Sequence, residues 1–352
     1  MFLSSNRHAI VAVVLLFFFL TGCESIGYYG QAIHGQLSIL NRRQPIKQLL
    51  AAPQTPDKLK ARLRMVLRIR QFAAKQLDLP VKDNYLTYVA LGRPCVVWNV
   101  FAAPEFSLAP KTWCFPIVGC TAYRGYFSRE KAEKYAEKLK KSGLDVYVGG
   151  VTAYSTLGWF DDPVLSTIIE RSTAGLAALI FHELAHQVLY VDDDTTFNES
   201  FAMAVEQEGL RRWMTATGNT KAYAGYRKTQ ARQRAFATLV MSWRRRLAAL
   251  YEKKIPVREK RRRKAMLIAG LRNAYQDLKA TWQGHAGYDR WFAEPVNNAK
   301  INTVSTYHQL IPDFRRLIRR TPGRLKRFYD ICQTLADRPV AERRTMLKRM
   351  GQ

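Results

Sequence analysis

The chain has 352 residues, 47% of them hydrophobic, with 56 lysines and arginines against 28 aspartates and glutamates, a formal net charge of +28. That length suits one compact catalytic domain or two lobes with a cleft between them, and no internal repeat or low-complexity segment is evident. The five cysteines show no CxxC spacing, which excludes a cysteine zinc cluster.

The first residues read as an export signal. Arg7 supplies a positive charge, Ile10 to Leu20 an apolar core too short to span a membrane comfortably, and Leu20-Thr21-Gly22-Cys23 looks like a lipobox. Residues 1–22 are then removed and Cys23 carries a lipid, so the mature chain 23–352 is anchored to a membrane with a soluble body. The expected place is the cell envelope of a Gram-negative bacterium, facing the periplasm; the absence of Asp at position 24 points to the outer membrane. Export also redirects the basic surplus. Nucleic acid is not the expected partner, whereas an anionic membrane surface or the cell wall is.

Residues 24–52 form a short helical lead-in that includes His34, and Pro56 to Leu79 a basic amphipathic helix ending before Pro80. Residues 84–127, rich in Tyr, Val, Trp and Phe with Pro and Gly punctuation, predict a meander of strands. Ser128 to Ser142 predicts a helix with Glu130 in its first turn, stopped by Gly143, and Leu144 to Ser155 a further strand. Within it, Val148 to Tyr154 is either an edge that pairs with an extended peptide or an interior strand. Beyond residue 164 the pattern is almost wholly helical, with breaks near 191–197, 216–219, 255, 284–300 and 321. The class is α+β: an antiparallel sheet in the N-terminal half, a mainly helical C-terminal half, and lobes, if two, at about 24–163 and 164–352. The basic run from Lys253 to Lys264 reads as the solvated face of a helix.

Setting Cys23 aside leaves Cys95, Cys114, Cys120 and Cys332, an even count that suits an oxidising compartment. Cys114 and Cys120 would close a small loop around Pro116 and Gly119 as a disulfide, or stay as two buried thiols; Cys95 pairs with Cys332 only by elimination.

His182-Glu183-Leu184-Ala185-His186 is an HExxH motif. Residues four apart share one face of a helix, so His182 and His186 can reach one metal ion while Glu183 handles protons beside it. One zinc ion there would lower the pKa of a bound water and make it a nucleophile toward an amide. The preceding stretch, Ser166 to Phe181, is apolar and free of proline, with Asp162 or Ser166 as a possible cap, and the helical pattern runs on to about Val191. A second helix begins near Phe197. Glu199 in its first turn is placed to be the third ligand, completing a three-ligand catalytic site.

The pair HELAHQ (182–187) and NESFA (198–202) resembles the gluzincin metallopeptidases, whose zinc ligands are the two HExxH histidines and a downstream glutamate. NESFA is similar to the NEGFA segment of the aminopeptidase N family, with Glu199 at the ligand position. The spacer differs: twelve residues separate His186 from Glu199, fewer than in aminopeptidase N relatives, and the Gly-x-Met-Glu-Asn exopeptidase motif is absent. As a whole the chain more closely resembles the predicted zinc aminopeptidases found as bacterial lipoproteins. The resemblance runs through residues 113–120, 123–127, 153–163 and Asn297-Asn298-Ala299. It implies a zinc peptidase acting on peptides, and an aminopeptidase in particular.

Catalysis would need a hydrogen-bond donor for the tetrahedral intermediate, for which Tyr307 and His308 are preferred, followed by His285, Tyr223 and Tyr226. An aminopeptidase also needs a carboxylate for the substrate amino group. Glu206, Asp161 and Asp162 are candidates, each equally able to orient a ligating histidine instead. The competing expectation is a non-catalytic envelope lipoprotein whose structural zinc supports binding of a partner or the cell wall. The oligomeric state is left open.

Overall fold

Strand-forming segments are confined to the first half of the chain, but they do not assemble into one meander. The computed structural model describes residues 27–115, 119–153, 161–192, 194–304 and 310–351. In chain order these form α1 (27–41), β1 (Gln44–Pro45), α2 (Ile46–Ala51), α3 (Asp57–Leu77), β2 (Thr87–Val89), β3 (Val97–Pro104), β4 (Trp113–Phe115), β5 (Gly119–Thr121), β6 (Arg124–Tyr126), α4 (Arg129–Lys141), β7 (Leu144–Val151), β8 (Val164–Leu165) and α5 (Ser166–Ile169). The helical half follows as α6 (Thr173–His186), α7 (Thr195–Ala216), α8 (Thr220–Tyr251), α9 (Val257–Ala280), α10 (Asp289–Ala293), α11 (Asn298–Asn302), α12 (Ile311–Arg320), α13 (Lys326–Ala336) and α14 (Val340–Gly351). The fold is α+β.

Three small sheets share the strands. The main one, β6-β3-β7, is antiparallel, and β4-β5 is a separate hairpin joined by a Cys114–Cys120 disulfide. The third, β1-β2-β8, contains a parallel pair, Tyr88 beside Val164, because the whole β3–β7 unit is inserted as the crossover between β2 and β8. Among the described residues β7 pairs with β3 alone, and Asn297 Nδ2 donates to Val146 O (2.9 Å). Cys95 and Cys332 are not bonded: Cys332 is buried on α13, while Cys95 lies against Gly150 of β7.

The largest apolar core draws on α3, β2, α5, α6 and α7 together with α12–α14, and so takes residues from both sides of position 163. A second core joins α8, α9 and α10, and a third lies between the main sheet and α4. Asn298 ties the second to the third. Its fully buried amide donates to the carbonyls of Pro104, Glu105 and Ser107, its Oδ1 accepts from Tyr251, and its N–H donates to Asp145. The basic run on α9 is only partly a solvated face, since Lys264 is buried against Asp145 (2.6 Å) and Arg261 pairs with Glu105.

The apolar stretch before HExxH is two helices rather than one. α5 ends at Ile169, where Arg62 Nε takes up its carbonyl (2.7 Å) and Nη2 that of Arg171. Ser172 then caps α6 by accepting from Gly175 N (3.1 Å). Ser166 lies in the first turn of α5, its hydroxyl accepting from Leu91 N (2.9 Å). Beyond the caps α6 is apolar on nearly every side, as a helix enclosed by others must be. It stops at His186, earlier than periodicity suggests. Asn198 holds both backbone groups of Val191, accepting from its N (2.9 Å) and donating to its O (2.7 Å), which draws the chain back toward α7.

α7 starts at a cap that is also a buried ion pair. Asp194 accepts from Phe197 N (3.1 Å) and pairs with Arg343 of α14 (2.7 Å), the side chains 2% and 6% exposed. Removing the carboxylate would strand a guanidinium in the interior. Asp194→Ala is expected to cost about 3–5 kcal/mol in urea unfolding, as for other broken buried pairs, and Asp194→Asn less because the cap survives.

Candidate metal and active site

Apolar packing of α6 against α7 sets the positions of four polar side chains. His182 and His186 lie one turn apart on α6 and meet edge to face, with ring centroids 4.8 Å from each other. Across from them α7 presents Glu199, and each residue of its Asn-Glu-Ser-Phe-Ala segment has a task. Asn198 clamps Val191, Ser200 and Ala202 are buried, and Phe201 stacks on Phe328 (5.7 Å), holding Glu199 toward α6.

His182 Nε2 and His186 Nε2 are 3.2 Å apart, and Glu199 Oε2 and Oε1 lie 3.4 and 3.6 Å from them respectively. Two donors held tetrahedrally at about 2.0–2.1 Å from an ion are separated by roughly 3.3 Å. The two nitrogens stand at that spacing; the contacts to Glu199 run to different oxygens of its carboxylate, and one donor atom from each of the three residues lies within 4.8 Å of the others. Among the described residues these three form the group able to hold a metal ion. His186 Nδ1 is buried without a hydrogen-bond partner, whereas His182 Nδ1 is 2.9 Å from Glu206 Oε2. Tyr226 of α8 donates to Glu206 Oε1 (2.5 Å), so both oxygens of Glu206 are engaged. Glu206 thus holds His182 from behind while it also lines the adjoining cavity.

Electrostatics follow from this crowding. Burial pulls the His182 pKa down, but hydrogen bonds to Glu199 and Glu206 and the charges of Glu206 and Glu183 outweigh it and push it up to about 10. Burial, reinforced by the charge of His182, lowers His186 to about 4. Burial raises Glu183 to about 7, opposed by His182 and assisted by Asp162, Glu199 and Glu206. Asp162 is itself buried. Its N–H donates to Asn84 Oδ1 (2.8 Å) and its carbonyl accepts from Tyr85 N (2.8 Å), while Asn84 Nδ2 reaches Gln187 Oε1 (3.2 Å) at the end of α6. Tyr85 is buried at a left-handed backbone position, φ 62°, with its phenol raised well above the ordinary range by burial and the charges of Glu183 and Asp162.

His182, Glu183 and Glu199 open into a cavity of about 1030 Å³ between α6, α7 and α8, with Tyr288, Thr303 and Val304 along its far wall. Helices supply most of its lining, with loop residues such as Arg171, Ser172 and Val304 completing it, and among the described residues none of β7 takes part. Tyr226 lines the cavity but its hydroxyl is committed to Glu206; Tyr223 stacks on Tyr226, and His285 lies in an exposed turn outside it. Tyr307, His308 and Cys23 lie outside the described residues. His34 is on α1, away from this cavity. Sequence reasoning missed the Asn84–Asp162–Tyr85 support and the Asn198 clamp; Asn198 stood in the motif, but its bonds join segments no periodicity connects.

A family model described as "Putative aminopeptidase" matches residues 27–347. The chain belongs to this family. The match takes in every residue of the cluster, and the family description is of enzymes that hydrolyse peptides. No curated protein and no solved structure matches the chain.

The site predicts how metal binding responds to mutation and pH. Glu206→Gln should weaken divalent-metal affinity about 10–100-fold, the usual effect of losing a carboxylate behind a histidine ligand, and Tyr226→Phe by less. Below pH 10 the metal-free His182 holds a proton that must leave before its nitrogen can ligate, so affinity should rise with pH across the neutral range. Calorimetric metal titrations in buffers of different ionisation enthalpy would report both the affinity and the protons released.

Proposed function

We propose that this protein is a zinc-dependent peptidase of the aminopeptidase type. The observation that carries the reading is the three-donor cluster of His182, His186 and Glu199, set in a wide cavity beside Glu183. A structural zinc would call for a fourth protein donor, and among the described residues the group has three. That favours the catalytic reading over a non-catalytic lipoprotein with a structural ion.

His182, His186 and Glu199 would hold the ion, which when bound supplies Lewis acidity to the attacking water and the scissile carbonyl. Glu206 fixes the tautomer of His182, accepting a hydrogen bond from Nδ1–H so that the unprotonated Nε2 faces the centre. Glu183 takes a proton from the attacking water and delivers it to the leaving amine; its raised proton affinity suits a group that must do both near neutral pH. Tyr307 remains the proposed donor to the tetrahedral oxygen. Aminopeptidase specificity rests on family membership. Among the described residues, the carboxylates lining the cavity are Glu183, Glu199 and Glu206, all already committed at the centre.

We place the protein in the envelope of a Gram-negative bacterium, lipid-anchored through Cys23 to the outer membrane and facing the periplasm. No helix among the described residues is long and apolar enough to cross a membrane. α1 exposes Tyr29, Ile33 and Leu37 at a spacing of four residues, and only Glu24, Ser25 and Ile26 separate Cys23 from its first described turn. Chain of that length reaches at most about 14 Å, so an acyl group on Cys23 would hold this apolar stripe close to the bilayer.

Glu183→Gln should keep its zinc and lose about 10²–10⁴-fold in kcat, whereas His186→Ala should lose the metal. Hydrolysis by Glu183→Gln at the wild-type rate would sink the mechanism. A peptide library, half of it N-acetylated, tests the specificity separately: loss of cleavage on acetylation supports an aminopeptidase, and internal cuts in both halves replace it with an endopeptidase.

A further inference from the structure

Behind Tyr226 lies a second cavity, of about 590 Å³, within the size range of small-ligand sites. It is walled by α7, α8, α12 and the turn at Pro322-Gly323. Six arginines line it and no lysine does: Arg211 and Arg212 from α7, Arg227 and Arg234 from α8, Arg315 and Arg319 from α12. Its one acid, Glu208, is already spent. It holds Arg211 through two bonds (2.9 and 2.7 Å) and Arg212 through a third (2.8 Å). Arg227, Arg234, Arg315 and Arg319 form no ion pair among the described residues, which leaves the cavity with a surplus of five positive charges.

These four arginines are exposed, but a face charged only for solubility would differ in residue type and placement. Like charges at i and i+4, as at Arg315 and Arg319, weaken a helix, and a surface that needed charge only for solubility would carry lysine too. Guanidinium differs from ammonium in its planar fork, which takes a carboxylate or phosphate through two parallel hydrogen bonds. Here the arginines come from the consecutive helices α7 and α8 and from α12, some 60 residues further along the chain, onto one cavity. Tyr226 and Gln230 belong to both this cavity and the larger one, so the two sit back to back across one wall of α8.

We propose that this cavity binds an anion carrying at least two phosphate or carboxylate groups. The assignment stands apart from the peptidase reading, since it needs neither the metal nor turnover. Oxyanions would bridge Arg227 and Arg234 on one side to Arg315 and Arg319 on the other, supplying the counter-charge that the protein itself lacks there.

The test is calorimetric titration of the full chain with inorganic tripolyphosphate and, separately, citrate at roughly physiological ionic strength, where long-range attraction is screened. Saturable one-to-one binding is expected, and the tighter of the two probes assigns phosphate or carboxylate as the head group. Arg227→Glu with Arg315→Glu should lower affinity at least tenfold. These side chains are exposed and bear no structural bonds, so the fold should hold, with a circular-dichroism melt as the check. The same charge change at Arg245 and Arg258, exposed elsewhere, should leave affinity unchanged. Arg227→Lys with Arg315→Lys keeps the charge and should still weaken binding several-fold. Non-saturable binding, equal loss in the Arg245/Arg258 variant, or full binding by the lysine variant would each overturn the proposal.

Discussion

Close apposition of α6 and α7 is the constraint on which the candidate site depends. Three polar donors must converge within a few ångströms of each other inside an apolar layer, and only backbones that approach tightly allow this. Gly209 on α7 marks one such approach: a Cβ there would stand 2.7 Å from Leu77 Cδ1 and 3.0 Å from Phe181, so a larger residue would have to push these core side chains aside. Asn198 adds a polar lock at the other end, and Asp194 with Arg343 anchors the start of α7 to the last helix. Each of these contacts is buried and paired, which is the condition under which polar groups are tolerated in a core.

The cluster that results is crowded with charge. Glu183, Glu199 and Glu206 gather around two histidines in a partly dehydrated space; the carboxylates drive His182 up in proton affinity against its burial, while burial and the charge of His182 drive His186 down. A bound divalent ion would relieve this arrangement by meeting the carboxylate charge directly and by giving the two Nε2 atoms, 3.2 Å apart, a shared partner. Tyr226 and Glu206 extend the same network outward to α8.

α8 consequently has a double role. Its apolar residues Phe236, Val240 and Leu247 build the second core with α9 and α10, while its first turns wall both the metal-facing cavity and the arginine-lined one. Asn298 and Lys264 bind that core to the main sheet through buried polar bonds. The asparagines at 297 and 298, conspicuous in the sequence, are therefore structural ties between layers.

How much was legible in the sequence follows from the range of each interaction. His182, Glu183 and His186 are related by helical periodicity, and Glu199 follows after one short connection between helices, so neighbouring sequence was enough to pick all four, while the packing of α6 on α7 sets their distances. The helical C-terminal half and the α+β class were legible for the same reason, since patterns of 3.6 and 2 residues are written into neighbouring positions. Periodicity could not place the break at residues 170–172 or the early end of α6, because Arg62, Asn84 and Asn198 impose them from 7 to more than 100 residues away. Nor could it divide the strands into three sheets or gather six arginines around one cavity. Those outcomes depend on which helices and strands lie side by side, and tertiary packing alone decides that.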